Sequence, residues 1–145
     1  MTPQDRDLLA QLRLQQGGLV ELVALGTNQI DWLEILNHLD VDGLEIHTTD
    51  PLNDTPCNLL NFLTEDENDS ICLIKVKSAG GQTWTSTLPV SGPVVMQGDP
   101  REIASIEELN SVRNLMHLIH EVTRKPVMLV PETDDVYRTR PYLRV

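Results

Sequence analysis

Basic residues are absent from a long part of this chain. The 145-residue sequence has no lysine or arginine between Arg13 and Lys75, and the 61 residues of this base-free interval (residues 14–74) include 12 aspartates and glutamates. The remainder carries 10 acidic and 11 basic residues, so the interval accounts for the formal net charge of −11. Nucleic acids and anionic membranes are bound by lysine and arginine that neutralise phosphate charge. We therefore expect neither as a partner, and instead expect a cation or a basic protein.

Aromatic residues and catalytic motifs are also scarce. The chain has two tryptophans, two tyrosines and one phenylalanine, too few to favour a surface that stacks the bases of single-stranded nucleic acid. It contains no glycine-rich loop for phosphates or dinucleotides, no nucleophile elbow of the hydrolase type and no zinc-deaminase signature. These absences favour a protein without a cofactor and without enzymatic activity.

Long hydrophobic runs are missing, and cysteines are few. No stretch approaches the roughly 20 apolar residues that a bilayer span needs, and the N-terminus has no basic start followed by an apolar run. Cys57 and Cys72 are the two cysteines, and they are not in C-x-x-C spacing. These features predict a cytoplasmic protein with free thiols, and a disulfide between the two cysteines is the alternative.

The residues that are present predict one α+β domain over residues 1–145. The composition, 40% hydrophobic and 23% charged, is that of an ordinary globular domain, and a chain of this length can bury one core. We expect a mixed or antiparallel sheet on which an N-terminal helix, a second short helix and one long C-terminal helix pack. Residues 49–70 are polar and acidic, and we predict that they form a mobile insert.

Helix and strand signals follow one another in the first third of the chain. Thr2-Pro3 is a helix start and precedes the apolar stripe of Leu8, Leu9 and Leu12, which predicts a helix over residues 3–16. Apolar runs at 19–25 and 44–49 predict two strands around a second helix, which begins with an Asn28–Asp31 capping box. We expect Ile30, Leu33 and Leu36 to form the main part of the buried face of that helix. If the two strands share a sheet, this βαβ unit makes them parallel.

The remaining two thirds predict four more strands, a short helix and a long one. Thr55-Pro56 is read as the start of the short helix, residues 71–90 as a hairpin, and "VVMQ" and "VMLV" as strands. The long helix is predicted over residues 101–124. The last residues form a polar tail with three arginines, Arg138, Arg140 and Arg144.

One segment of the long helix, "RNLMHLIHE", is a candidate metal site because it has two histidines and a glutamate. His117 and His120 lie three residues apart, without the H-x-x-x-H spacing of zinc-binding helices. A helical projection places Arg113 and Arg124 on the histidines' side, where guanidinium groups oppose binding of a divalent cation. We interpret the histidines as boundary residues of an amphipathic helix and predict no metal there.

A second candidate, "HLDVDGLEIHTTD", resembles a calcium loop in its D-x-D-G core. If Gly43 takes the sixth place, His38 stands where an oxygen ligand is needed, and Thr49 stands where a bidentate glutamate is needed. Because two essential ligands are wrong, we interpret this segment as a turn between a helix and a strand.

The leading hypothesis is a non-enzymatic interaction module whose acidic surface binds a basic protein partner. In physical type it resembles toxin immunity proteins, inhibitors or secretion chaperones, which bind and neutralise or escort a basic protein. The motive is the base-free interval, since complementary charge speeds association and selects partners. The predicted docking residues are Asp31, Glu34, Asp40, Asp42, Asp50, Asp54, Glu65, Asp66, Glu67 and Asp69.

Two alternatives stay open. One is a small-molecule-binding or enzymatic domain with a pocket near Cys57 and His47, because a thiol at a helix N-terminus becomes more acidic and more reactive. His38 or His47 would have to serve as its base. The other is a homodimeric structural subunit that associates through the Trp84 face of the hairpin or through an exposed strand edge.

Overall fold

The protein is an α+β fold built on one antiparallel sheet. A computed structural model describes residues 2–14, 18–64, 71–89, 92–132 and 137–145. The strands are β1 Val20–Ala24, β2 Glu45–Asp50, β3 Thr55–Pro56, β4 Cys72–Lys77, β5 Thr83–Leu88, β6 Val94–Gly98, β7 Val127–Pro131 and β8 Leu143–Arg144. The helices are α1 Pro3–Leu14, α2 Trp32–Val41, α3 Leu59–Thr64 and α4 Ile106–Thr123, with 3-10 turns at Gln29–Asp31 and Pro100–Glu102.

The sheet order is β3-β2-β4-β5-β6-β1-β7-β8, and every neighbouring pair is antiparallel. The predicted βαβ unit is therefore only half right. Strands β1 and β2 share the sheet and, because directions alternate across it, point the same way. Three other strands separate them, so α2 leads the chain from the middle of the sheet to near its edge.

The two faces of the sheet differ in what they pack against. The alternate residues Val20, Leu22 and Ala24 of β1 join the main core, which also includes the buried faces of α1, α2 and α4. Val23 belongs instead to a small separate apolar cluster with Met128 and Val130. A strand's side chains alternate between faces, so the helices cover one face, and this second cluster lies on the other, which we call the open face.

The local signals of the first two helices are confirmed, with one change. The Thr2 hydroxyl accepts a hydrogen bond from the Asp5 amide at 3.0 Å, and Asn28 and Asp31 form the predicted capping box. The box begins a 3-10 turn, however, and α2 starts only at Trp32. The turn changes the phase of the helix, so Trp32, Ile35, Leu36 and Leu39 are buried, while Ile30, which we expected in the core, is 62% exposed.

Three other predictions need correction. Thr55–Pro56 does not begin a helix but pairs with Asp50 and Thr49 as the edge strand β3. The long helix α4 begins at Ile106, because Pro100–Glu102 forms a separate 3-10 turn capped by Asp99. The polar tail includes a strand, β8, which pairs with β7.

The two cysteines are not free thiols. Cys57 and Cys72 form a disulfide with a Cα–Cα distance of 6.4 Å, so the expected free thiols are replaced by the alternative pairing. The bond joins the segment between β3 and α3 to the first residue of β4. No helix in the described part of the chain is long and apolar enough to cross a membrane.

Candidate functional site: the acidic edge of the sheet

Sheet topology gathers most of the base-free interval on one side of the molecule. Strands β3 and β2 form one edge of the sheet, and α2 packs against β2 and α4. Three strands lie wholly within the interval, β1, β2 and β3, and only β1 is in the interior of the sheet, away from this edge. We call the exposed acidic residues of α2 and of the turn after β2 the acidic edge, and they are Glu34, Asp40, Asp42 and Asp54.

Two of the predicted docking residues have local structural roles instead. The Asp31 carboxylate accepts a hydrogen bond from the Asn28 amide at 2.8 Å and so holds the 3-10 turn. The Asp50 carboxylate accepts hydrogen bonds from the Leu52 amide at 2.9 Å and the Asn53 side-chain amide at 3.0 Å. Both carboxylates are committed to the turns that they stabilise, which reduces what they could offer a partner.

The remaining docking residues form no ion pair with a lysine or arginine in the described part of the chain. Glu34 and Asp40 make no ion pair among the described residues, and the Asp42 carboxylate lies 3.5 Å from Nε2 of His38, one turn back on α2. His38 Nε2 also lies 3.5 Å from the carboxylate of Glu121 on α4. Without neutralising lysine or arginine, these acids leave the edge with a strongly negative potential.

The acidic residues do not all lie on one surface. Glu45 to Asp50 spans the length of β2, about 17 Å, and it separates the acids near the end of α2 from Asp54 in the turn after β2. The run Glu65, Asp66, Glu67 and Asp69 lies outside the described residues. The prediction of a single docking face therefore stays untested for that run, and the described acids form two groups along one edge.

The arginine-bearing tail lies at the other edge of the sheet. Strand β8, which contains Arg144, is six strand intervals from β2, about 29 Å along the sheet at the usual strand spacing. Arg140 lines a cavity with Asp5, Asp7 and Arg113, between α1 and α4. Arg144 therefore lies far from β2, and Arg140 lies beside Asp5 and Asp7.

The histidines of α4 serve the helix. Nδ1 of His120 donates a hydrogen bond to the Lys125 carbonyl at 2.8 Å, just past the helix end at Thr123. Arg113 pairs with Asp5 of α1. Among the described residues no group of three or more histidine, cysteine or acidic side chains is arranged to hold a metal ion.

The proposed pair of Cys57 and His47 does not assemble. Cys57 is bonded to Cys72, which is fully buried in the main core. His47 and Thr48 are adjacent on β2, so their side chains point to opposite faces of the sheet. The side chain of His47 is exposed and points to the open face, away from the core. The sheet lies between the two side chains, and the disulfide removes the nucleophile. A catalytic site built on these two residues is therefore wrong.

His47 instead lines a groove of about 600 Å³ on the open face. Its Nε2 is 2.9 Å from Oε1 of Glu45, and this hydrogen bond holds the pKa of Glu45 below its ordinary value. Lys75 and Lys77 of β4 lie across from His47 and Glu45 in the strand register. The groove therefore combines both signs of charge, and it also includes Asp54 of the acidic edge.

Trp84 is buried in the main core and is not exposed on the hairpin. It is 1% exposed, and its ring lies against Gly98 of β6. Its side chain therefore leaves almost no surface for a second copy to contact, and dimerisation itself stays a prediction.

Sequence reasoning missed a set of exposed apolar residues in the same interval as the acids. Val41 is 85% exposed and Leu52 is 76% exposed, on α2 and in the turn after β2. The available signal was Val41 itself, an aliphatic residue between Asp40 and Asp42, which is an unusual place for a residue of the core.

Comparison with known proteins provides no relative for this chain. Searches against protein-family models, curated proteins and solved structures found no match. The function of this chain is therefore inferred from the charge, exposure and contacts of its own residues.

Proposed function

We propose that this protein is a non-enzymatic interaction module whose acidic edge binds a basic protein partner, in the manner of an immunity protein, an inhibitor or a chaperone. The observation that carries the proposal is the group of exposed acids at one side of the sheet. Glu34, Asp40 and Asp42 are exposed there and form no ion pair with a lysine or arginine among the described residues, and Arg144 is at the other edge of the sheet.

Charge of one sign along an edge acts at the stage of encounter. An acidic surface that basic side chains do not neutralise attracts a cationic partner over roughly a Debye length, about 8 Å at physiological ionic strength. Such attraction raises the association rate more than the final affinity. Solubility alone is a weaker explanation, because scattered acids would serve it equally well.

The test is affinity capture of the tagged protein from its native lysate at low and moderate salt, followed by association kinetics with the captured protein. We expect a stoichiometric basic protein that salt releases. The double variant Glu34→Gln and Asp40→Asn should slow association several-fold and reduce its salt dependence. The matched control is Asp7→Asn with Glu132→Gln, which removes the same charge from exposed positions on α1 and directly after β7.

Equal slowing by both double variants would contradict a localised site, and capture of no basic protein at either salt would contradict the proposal itself. A separate amide variant of Glu65, Asp66, Glu67 and Asp69 assigns the role of that run. Unchanged rate and salt sensitivity in this variant would remove the run from the site.

The groove beside His47 supports a second candidate, a small-molecule-binding domain. Its volume of about 600 Å³ is in the range of small-ligand sites, and it offers Lys75 and Lys77 as well as Glu45. A thermal-shift screen of small zwitterions and anions would favour this function if one raised the melting temperature of the protein but not of a Lys75→Gln, Lys77→Gln variant.

The homodimer alternative now depends on a strand edge alone. Both outer strands, β3 and β8, have two residues each, and short edge strands disfavour pairing between sheets. A cytoplasmic location also stays a prediction, and the Cys57–Cys72 bond weighs against it because structural disulfides persist mainly in oxidising compartments.

A further inference from the structure

Exposed apolar side chains are concentrated in the same interval as the acidic residues. Eight large hydrophobic side chains are exposed in the described part of the chain, and seven of them fall in the base-free interval. They are Leu14, Leu19, Ile30, Val41, Leu52, Leu60 and Ile71; Tyr137 is the eighth. A surface that served only solubility would not combine exposed aliphatic groups with unpaired acids, whereas an interface has apolar anchors within a polar rim.

The outer face of α2 presents these two kinds of residue in a helical pattern. Glu34, Asn37 and Val41 lie at positions i, i+3 and i+7, within about 60° of one another around the helix, and all three are exposed. Ile30, in the turn that leads into α2, lies four residues before Glu34 and is also exposed. The stripe from Ile30 to Val41 is about 16 Å long, which matches roughly three turns of a second helix.

We propose that this outer stripe of α2 (Ile30, Glu34, Asn37 and Val41) is the docking site for an amphipathic basic helix of the partner. The inference rests on the proposed function and deepens it by assigning the contact surface and the form of the partner's binding segment. The apolar side of that helix packs on Ile30 and Val41. Its lysines or arginines face Glu34 and the neighbouring Asp40.

Charge decides which occupant fits. A second copy of this chain that docked through the same stripe would bring its own Glu34 and Asp40 into the same interface, and two surfaces of like charge disfavour association. An anionic membrane and a nucleic acid carry the same sign as the stripe. A basic helix with an apolar side complements both the charge and the exposed aliphatic groups. It would pack directly on α2, as one helix packs on another.

The two kinds of residue have separable effects. Peripheral acids change the association rate and its dependence on salt, while packed apolar anchors change the dissociation rate. Loss of an anchor therefore weakens binding at every salt concentration, but loss of Glu34 or Asp40 weakens it chiefly at low salt. This difference separates the present inference from the more general proposal of an acidic docking edge.

The experiment uses three synthetic 14-residue probes and the full-length protein. The first is a leucine–lysine peptide with its leucines at helical spacing, the second has the same composition in strict alternation, and the third is oligolysine. Titrations at low and moderate salt give affinities, and amide shifts in NMR spectra locate the site. We expect the helical probe to bind most tightly and to shift the resonances of α2.

The variants test the stripe directly. Ile30→Ser with Val41→Ser should weaken the helical probe about tenfold at both salt concentrations. Leu52→Ser with Tyr137→Ser, which removes two equally exposed apolar groups elsewhere, should leave affinity unchanged. All four residues are exposed, so circular dichroism and melting temperature should stay close to those of the wild type.

Four outcomes would overturn the inference. Oligolysine that binds as tightly as the helical probe, or an unchanged affinity in the Ile30, Val41 variant, would leave the acidic edge as the site but remove the apolar stripe. Concentration-dependent dimerisation abolished by the Val41 substitution would assign the stripe to a second copy. Failure of all three probes to bind at low salt would contradict both the inference and the proposed function.

Discussion

At the scale of single residues, a tight packing constraint in the core lies between Trp84 and Gly98. A Cβ atom on Gly98 would lie 2.7 Å from Cζ3 of the Trp84 ring, and the ring is itself buried between the sheet and the helices. A buried indole has no room to move aside, because protein interiors are close-packed. Glycine at this position is therefore required by the tryptophan, and no turn or positive φ is involved.

We predict that Gly98→Ala destabilises the protein by about 1–3 kcal/mol, the usual cost of overpacking a core. Urea unfolding of the wild type and the variant measures the difference. The control is the same substitution in a Trp84→Phe background, which removes the outer ring atoms from the contact and should reduce the penalty. A penalty of equal size in both backgrounds would show that another neighbour is responsible.

The acidic residues show how one residue type takes different roles. The sequence predicted Asp31 both as a helix cap and as a docking residue, and the structure commits its carboxylate to the cap. Asp50 is committed in the same way to its turn. Local hydrogen bonds of this kind can be inferred from spacing, whereas only the fold shows that Glu34 and Asp40 form no ion pair with another described residue.

At the scale of elements, one ion pair joins the first helix to the last long one. Asp5 of α1 is buried and pairs with Arg113 of α4. The hydrogen bond from Arg113 lowers the pKa of the Asp5 carboxyl below its ordinary value of 3.8. Because the pKa is lower in the folded than in the unfolded state, the ionised carboxylate stabilises the fold above pH 3.8, and this contribution is lost as the pH falls through the folded value.

We predict that Asp5→Asn lowers the melting temperature at pH 7, and that the difference from the wild type shrinks as the pH falls below 3.8. Thermal unfolding followed by circular dichroism at pH 7 and at about pH 3 measures both differences. Asp7→Asn, on the exposed side of the same helix, should change little at either pH. A difference for Asp5→Asn that is constant across this range would contradict the ion pair.

Elements that the sequence predicted well were those whose burial follows from local periodicity. The hairpin of β4 and β5, the strand β7 and the buried stripe of α1 are all confirmed. The predictions that α4 starts at residue 101 and that Thr55-Pro56 starts a helix were wrong. A 3-10 turn and a two-residue edge strand carry no periodicity, and tertiary contacts with Asp50 and Thr49 decide the latter.

At the scale of the whole molecule, the unequal distribution of charge has an energetic cost. A net charge of −11 with unpaired acids along one edge produces self-repulsion in the folded state. Salt screens such repulsion between exposed charges. Residues kept for binding a partner are commonly placed at some expense in stability, so the acidic edge should reveal itself by its response to ionic strength.

We predict that the melting temperature rises as sodium chloride is increased from about 0.01 to 0.3 M, since the Debye length falls over this range from about 30 Å to well under 10 Å. The double variant Glu34→Gln and Asp40→Asn should melt above the wild type at low salt and respond less to added salt. The pair Asp7→Asn and Glu132→Gln should produce a smaller change, because Asp7 lines the same cavity as Arg113 and Arg140. A melting temperature that falls with salt would mean that attraction, not repulsion, dominates the surface.

The sequence by itself determined the α+β class, the helix caps, the hairpin and the sign and extent of the charge, because each depends on residues near one another in the chain. The tertiary structure alone decided that β1 and β2 are separated by three strands, that Cys57 meets Cys72, and that Arg144 lies far from the acidic edge. It also left Ile30 and Val41 exposed. Such facts depend on strand order and helix phase, and the pairing of distant segments that sets them is chosen by the free energy of the whole core.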